Sequence, residues 1–585
     1  MRIRTKTTNA RAVIDSAHSR TVAIVAVCLC SLVFANAQTI NSARGIADDA
    51  LTLARAGNTR DAIVKYQQAV AIAPDNMEIL RDYAIVLGWA GRYSDAIPVA
   101  KKVRTLENNQ PEWALREFAS IYLFGDRTEE ALEQYNALLE RGDVSEQTLN
   151  RRALALRWLG RHDDALRAYS DLVRRYPHSV AGAVGMAYSK ADKGQLASAL
   201  HDLESNENVP GNDPEILKAR IRVLNWMGRH FEAQKLLASL PDVLADDREI
   251  LEDRIAAARW GGNPNAAMED LNRFSQLFPG GESQRMAKEL RTEYGQSFSP
   301  YFSFGKDSDG LTDRKSGADV SVHLSPSYSI HAGYQYRWLE QQQDIRTLLQ
   351  YSVGLAGNIK PKVSFYSTIG SVDYRTSGAN RKYVGDASIT VAASDKLRLT
   401  GGGGSMAMDA YQSIPNRVSA PFGFGDVSFQ FSPNMKVQAR YSRYSFSDNV
   451  IRKRGDIQFT RSIIRHNSVK FLAGWRSSLM RHDVSTSDFW SPIRFQSHVA
   501  VAQGEGRITS WMDYFAELAG GWQSELGVAV QHPLQAAGHI AIRPNRHWRT
   551  VLEAGRSTSS LDRALPGQRN YSRWSASATM EFRFP

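Results

Sequence analysis

The sequence predicts a multidomain α plus β protein: a helical-repeat solenoid followed by a transmembrane antiparallel β-barrel. Two periodicities and a charge asymmetry carry this expectation. Glycines at Gly57, Gly91, Gly125, Gly160, Gly194, Gly228 and Gly262 are each followed by an alanine, at Ala62, Ala96, Ala131, Ala165, Ala199, Ala233 and Ala267. Those alanines are 34 residues apart, with one step of 35. A fixed period of that length is the mark of stacked helix pairs. After Gln296 the pattern changes to strict alternation, which runs through Trp574, Ala576, Ala578, Met580, Phe582 and Phe584.

Residues 1–37 read as a secretory signal. Arg2, Arg4, Lys6, Arg11 and Arg20 form a basic region, and Thr21 to Phe34 is an apolar stretch. Ala35-Asn36-Ala37 has the small-x-small pattern of a cleavage site. The only cysteines, Cys28 and Cys30, lie inside that stretch, so the mature chain is expected to hold no disulfide and no thiolate metal site. No later segment has the uninterrupted apolar length of a membrane helix, and a closed barrel is the other fold that satisfies its backbone in lipid.

The net charge of +11 conceals opposite halves. Residues 38–296 carry 33 basic and 38 acidic side chains, a net of −5, whereas residues 297–585 carry 34 and 22, a net of +12. The first range is expected to be a domain of about seven repeats with a capping helix near 283–293. The second is expected to be an outer-membrane barrel of about 14 to 16 strands.

Within each repeat the glycine-to-alanine offset is five, and six in the third. Tyr66, Tyr135 and Tyr169 follow their alanines by four, and Pro74 and Pro177 by twelve. Small residues let paired helices cross closely, and proline ends the second helix. Tryptophan recurs two residues before the turn glycine, in Trp89-Ala90-Gly91-Arg92, Trp158-Leu159-Gly160-Arg161, Trp226-Met227-Gly228-Arg229 and Trp260-Gly261-Gly262-Asn263. The Trp rings either stack on sugar rings, with Arg92, Arg161 and Arg229 bonding to hydroxyls, or pack against the next repeat.

In the second half Tyr328, Ile330, Ala332, Tyr334, Tyr336 and Trp338 alternate with Ser329, His331, Gly333, Gln335 and Arg337. An apolar outer face with aromatic ends and a polar inner face suits a lipid-embedded barrel with a water-filled lumen. By the same alternation Arg337, Arg398, Lys436, Arg440, Lys470, Arg476 and Arg583 point inward, against fewer acids such as Asp426 and Glu581. Such a lumen favours anionic permeants, unless these bases form internal ion pairs. Arg452-Lys453-Arg454 reads as a cluster meeting lipopolysaccharide. The Gly401–Gly404 run reads as a crowded bend, because no Lys-Ser/Thr follows to make a phosphate loop.

No catalytic or metal-binding motif appears, and no enzyme activity, cofactor or nucleic-acid partner is expected. The signal, the repeats with their Trp-x-Gly-Arg turn and the terminal barrel together resemble the tetratricopeptide-repeat exopolysaccharide secretins of Gram-negative bacteria. The likeness is nearest to the poly-β-1,6-N-acetylglucosamine export porin (PgaA/HmsH) family. The cellulose and Pel export porins share the domain order with longer arrays. The resemblance implies repeats in the periplasm that recruit a polysaccharide chain or a deacetylase-like modifying protein. It implies a sixteen-stranded barrel that conducts the polymer outward into a biofilm matrix. Two alternatives stand beside it: another polymer, such as cellulose or an anionic polysaccharide, or a non-conducting anchor for a periplasmic complex.

Overall fold

The structure is a computed structural model that describes residues 41–106, 110–375, 381–466, 469–562 and 571–584. The expected signal at 1–37 lies outside the described residues. By contact the chain divides into two compact units, one comprising residues up to Asp192 with Ser205–Pro210, the other Lys193–Glu204 with Gly211–Pro585.

The first unit is built of antiparallel helix pairs: α1 (41–55) with α2 (Thr59–Ile72), α3 (Met77–Trp89) with α4 (Tyr93–Leu106), α5 (Glu112–Phe124) with α6 (Thr128–Glu140), and α7 (Glu146–Trp158) with α8 (His162–Arg175). It ends in α9 (Val180–Asp192). The alanines of the repeat fix the crossing of each pair: Ala62, Ala96, Ala131 and Ala165 are wholly buried, as are Tyr66, Tyr135 and Tyr169 one turn on. The Tyr169 ring lies where a Cβ on Gly185 of α9 would sit, 2.1 Å away, so only glycine admits it.

The turn between paired helices needs a left-handed residue. Gly57, Gly91 and Gly160 supply it with φ of 85°, 71° and 72°. In the third repeat that place belongs to Asp126 (φ 60°), not to Gly125. Counted from Asp126 the offset to Ala131 is again five, which removes the apparent exception in the sequence. Gly125 has a different reason: a Cβ there would meet Ile97 Cδ1 at 2.7 Å.

The second unit opens with α10 (Leu196–Ser205), α11 (Pro214–Trp226), α12 (His230–Leu237), α13 (Arg248–Trp260), α14 (Pro264–Leu277) and α15 (Gly281–Glu293). Ala199, Ala233 and Ala267 are again fully buried. Leu290 of α15 closes a core with Leu251, Ile255, Leu271 and Phe274.

Two residues beyond α15 the barrel begins. Its strands are β1 (Gln296–Asp307), β2 (Thr312–Ser325), β3 (Tyr328–Gln341), β4 (Asp344–Lys360), β5 (Val363–Tyr374), β6 (Arg381–Ala392), β7 (Leu397–Ala407), β8 (Ser419–Ser432), β9 (Met435–Ser445), β10 (Ile451–His466), β11 (Val469–His482), β12 (Arg494–Thr509), β13 (Met512–Glu525), β14 (Leu534–Asn545), β15 (Trp548–Ser557) and β16 (Arg573–Phe584). Each pairs antiparallel with its neighbours in sequence, and β1 pairs with β16 to close the sheet. Closure leaves no strand edge, which is the condition for crossing lipid. The turns after the even-numbered strands are short and share the end with α15. The longer connections lie at the opposite end, and the two ends are named inner (with α15) and outer (with the longer connections).

The pleat sorts the side chains as the alternation requires. Phe302, Tyr334, Val353, Ile369, Leu399, Ile457 and Leu518 are all exposed on the outward face. Aromatics rim this band at both ends: Trp548, Phe582 and Phe298 stack at the inner end, and Phe304 against Trp574 at the outer. The structure corrects two local expectations. Arg452-Lys453-Arg454 is not a loop cluster but part of β10, where the pleat turns Arg452 and Arg454 inward and leaves Lys453 outward. The glycine run is not a bend either, because β7 passes through it with no register shift against β6 or β8.

Candidate functional site

The lumen is the concave polar surface of the second unit, and its outer mouth is where the sequence was least informative. There the segment from Met408 to Val418, with a short helix α16 (Ser413–Asn416), folds back onto the inner wall. Tyr411 and Ile414 bury themselves against Leu339, Leu348, Val372 and Tyr374 of β3 to β5. Arg337 fastens the segment: its Nε and Nη2 donate to Asp313 at 2.8 and 3.0 Å, and Nη1 donates to the Asp409 backbone oxygen at 3.0 Å and to its carboxylate. Arg346 donates to the Tyr411 carbonyl at 2.6 Å and lies over its ring. A second connection, 483–493, brings Phe489 against Phe446 and Trp490 against Phe495. Asn416 donates to Asp488 at 2.9 Å and ties the two together.

Below these loops an aromatic run climbs the inner wall. Phe424, Phe422, Tyr444 and Phe446 stack in succession, with ring centres 6.4, 5.4 and 6.0 Å apart. Arg440 lies 4.4 Å over Phe424, and Arg452 lies 4.1 Å over Tyr444. Gly402 makes room for the lowest ring, since a Cβ there would fall 2.9 Å from Phe424 Cε1. Sequence reasoning missed this run, although a signal was present. On β8 the apolar residues change phase near Gly425, with Phe422 and Phe424 even but Val427, Phe429 and Phe431 odd.

The inward bases are less free than their number suggests. Arg337 is buried in the loop lock just described. Lys470 pairs with Glu505 at 2.6 Å, Arg476 with Glu517 at 3.0 Å, and Arg583 with Glu581 at 2.8 Å. Arg440 stands in register between Asp426 and Asp456. Arg398 and Lys436 have no ion-pair partner among the described residues. The excess of positive charge expected of the lumen is therefore largely neutralised by inward acids. Between the charges the wall is rich in hydroxyls, as on β1, where Ser297, Ser299, Tyr301 and Ser303 face inward.

At the inner mouth a cavity of about 650 Å³ lies between α15 and the barrel rim, lined by Glu289, Glu293, Arg259, Arg546, Arg549, Arg583 and Glu581 among others. Arg546 pairs with Glu289 across it at 3.2 Å. Its mixed charge again sets no single sign for a permeant.

On the repeats Trp89, Trp158, Trp226 and Trp260 each occupy the last helical position before the turn. They are 51, 48, 43 and 60 % exposed, which decides against a purely core role. In the first unit Phe124 holds the same place and meets Trp158 edge-on at 5.8 Å. Arg92, Arg161 and Arg229 each pair with the acid three residues on: Arg92 with Asp95 at 2.8 Å, Arg161 with Asp164 at 2.8 Å and Arg229 with Glu232 at 2.6 Å. These arginines brace the start of the following helix, where acidic side chains suit the helix dipole.

Tetratricopeptide-repeat family models match residues 53–114 and 149–179. No curated protein matches the chain. Among solved structures, the chain is similar to a bacterial polysaccharide outer membrane secretin at 13 % identity and a TM-score of 0.44, over 50 % of this chain and 99 % of that one. It is also similar to a tetratricopeptide repeat protein from Parabacteroides merdae ATCC 43184, at 16 % identity and a TM-score of 0.36, over 43 % of this chain and 98 % of the other. The chain thus joins tetratricopeptide helical repeats to a closed sixteen-stranded antiparallel β-barrel.

Proposed function

We propose that the protein is an outer-membrane porin that exports an exopolysaccharide of the poly-N-acetylglucosamine type, with its repeats in the periplasm. The observation that carries this reading is the inner wall. Stacked aromatics, hydroxyls and internally paired charges form a surface for a neutral, hydroxyl-rich polymer, since sugar rings stack on aromatic faces and their hydroxyls exchange hydrogen bonds freely. A lumen that sorts ions by sign would instead leave most of its inward charges of one kind unpaired.

The half-exposed Trp rings extend the reading to the repeats. Aromatic faces at a fixed repeat interval suit an extended chain, and solenoids take such partners along one face. The repeats capture the polymer or a deacetylase-like modifying protein, and the barrel passes the polymer outward. Lipid and lipopolysaccharide surround the barrel. The paired arginines Arg92, Arg161 and Arg229 contribute less than the Trp rings, because each already places its Nε and one terminal nitrogen on a carboxylate.

One observation favours a second reading, a non-conducting anchor for a periplasmic complex: the loops fastened into the outer mouth by Arg337. Planar-bilayer recording separates the two. Export requires discrete conductance that N-acetylglucosamine oligomers interrupt. A barrel that stays silent after the Met408–Val418 segment is deleted is an anchor.

A further inference from the structure

At the outer end of β9 to β12 the outward face carries a basic side chain on each of four consecutive strands. Arg443 is directly opposite Lys453, Lys453 opposite Arg481, and Arg481 opposite Arg494. All four are exposed, and none has an ion-pair partner among the described residues. With strands about 4.8 Å apart, the row is about 14 Å long.

Like charges directly opposite one another on neighbouring strands repel and destabilise the pairing. Elsewhere at this end, among the described residues, no outward base stands opposite another: Lys306 and Arg556 both stand opposite Trp574. Arg381 stands opposite Asp373, and Arg314 lies 3.7 Å over the Trp338 ring within reach of Glu340. The row on β9 to β12 has no such relief. Gly423 flanks it on one side. One pleat further out, the Asp483 carboxylate accepts the amides of Ile451 and Val484 and is held there.

The row also lies at a defined depth. One pleat below it are Tyr441, Gly455, Leu479 and Gln496, and Tyr441 and Leu479 are each 54 % exposed. Below those come Ile457, then Phe459 and Trp475, the apolar band itself. The four cations therefore sit about 7 Å above the edge of the hydrocarbon, where the headgroups of the outer leaflet lie.

We propose that Arg443, Lys453, Arg481 and Arg494 form a binding site for the phosphates of a phosphorylated glycolipid headgroup, the lipid A part of lipopolysaccharide. Guanidinium and ammonium groups convert their mutual repulsion into charge-assisted hydrogen bonds when phosphate oxygens lie among them. The acyl chains of the same lipid continue down over Leu479, Ile457 and Trp475. The inference rests on the proposed outer-membrane placement but not on export, so it survives or fails independently of what the barrel conducts.

The test uses the full chain in neutral detergent, with bisphosphorylated lipid A as the probe. The controls are the same lipid without its phosphates, an anionic phospholipid, and inorganic phosphate. Lipid A should raise the melting temperature of the barrel and persist as an adduct in native mass spectrometry, while the dephosphorylated lipid should do neither. The double variant Lys453→Gln/Arg481→Gln should bind lipid A roughly twentyfold more weakly, at about fivefold per charge. In lipid-free micelles that variant should melt no lower than the wild type, because a repulsion has been removed. Equal response to both lipids, to the anionic phospholipid, or to free phosphate would overturn the proposal. So would an unchanged affinity in the double variant. Arg381→Gln, at a matched site, should leave binding unchanged and controls for loss of charge as such.

Discussion

Asp395, in the turn between β6 and β7, accepts the backbone amides of Phe231 and Glu232 at 2.9 and 3.1 Å. These are the amides of the second and third residues of α12, and the helix has no side-chain cap of its own, because Arg229 stands at the N-cap position. A barrel turn thus does the work of a capping residue for a repeat helix. Lys362, in the neighbouring inner turn, reinforces it with its ammonium 4.4 Å over the Phe231 ring. Replacing Asp395 with alanine should cost about 1 kcal/mol. Hydrogen exchange of the α12 amides should accelerate while that of α13 stays unchanged.

The loop lock at the outer mouth makes a separate prediction. Arg337 keeps Asp313 when Asp409 is lost, so Asp409→Asn should free the Met408–Val418 segment without leaving Arg337 unpaired. Open-channel time in planar bilayers should rise. Unaltered gating would mean that the apolar contacts of Tyr411 and Ile414 hold the segment unaided.

Gly402 admits the Phe424 ring to the wall, and a side chain there would also meet the Ala387 carbonyl at 2.6 Å. Gly402→Val should therefore destabilise the barrel by roughly 1–3 kcal/mol through overpacking. Gly401 has open space about its Cβ direction. Gly401→Val should be tolerated, and the difference between the two is readable as the temperature at which each variant unfolds on a gel.

Asp253 gives the repeats a pH dependence. Burial raises its carboxyl to about 6, outweighing the opposing pull of Arg222. A carboxyl whose folded pKa is raised holds its proton longer in the folded state. Its contribution is complete below the unfolded value near 4 and is lost as pH rises through about 6. The loss is on the order of 3 kcal/mol. Asp253→Asn should flatten the fall in helical melting temperature between pH 4 and pH 6 relative to the wild type.

For the Trp rings, Trp158→Ala with Trp226→Ala should weaken oligosaccharide binding by the full chain and leave helical circular dichroism unchanged. A loss of helicity in that double variant would assign the rings to packing.

What could be read from the sequence was whatever depends on spacing along the chain. The buried alanines at their 34-residue interval fix helix crossings, and the alternation from Gln296 fixes which face of each strand meets lipid. What depends on pairing across space was hidden. The count of inward arginines was legible, but Glu517 lies 41 residues from Arg476, and Asp409 reaches Arg337 only because its loop folds inward. Asp126 was masked by the glycine beside it, which is small for a packing reason and not for a turn. The Arg452-Lys453-Arg454 triplet looked like one cluster because linear proximity does not show that a pleat sends alternate residues to opposite sides.

The central claim is that polymer leaves the cell through this barrel, and the most direct measurement is its fate when the chain is deleted from the chromosome. Secreted polysaccharide should fall and polymer should accumulate in the periplasm, with both restored by the intact gene. Unchanged secretion with no polymer retained in the periplasm would contradict the account.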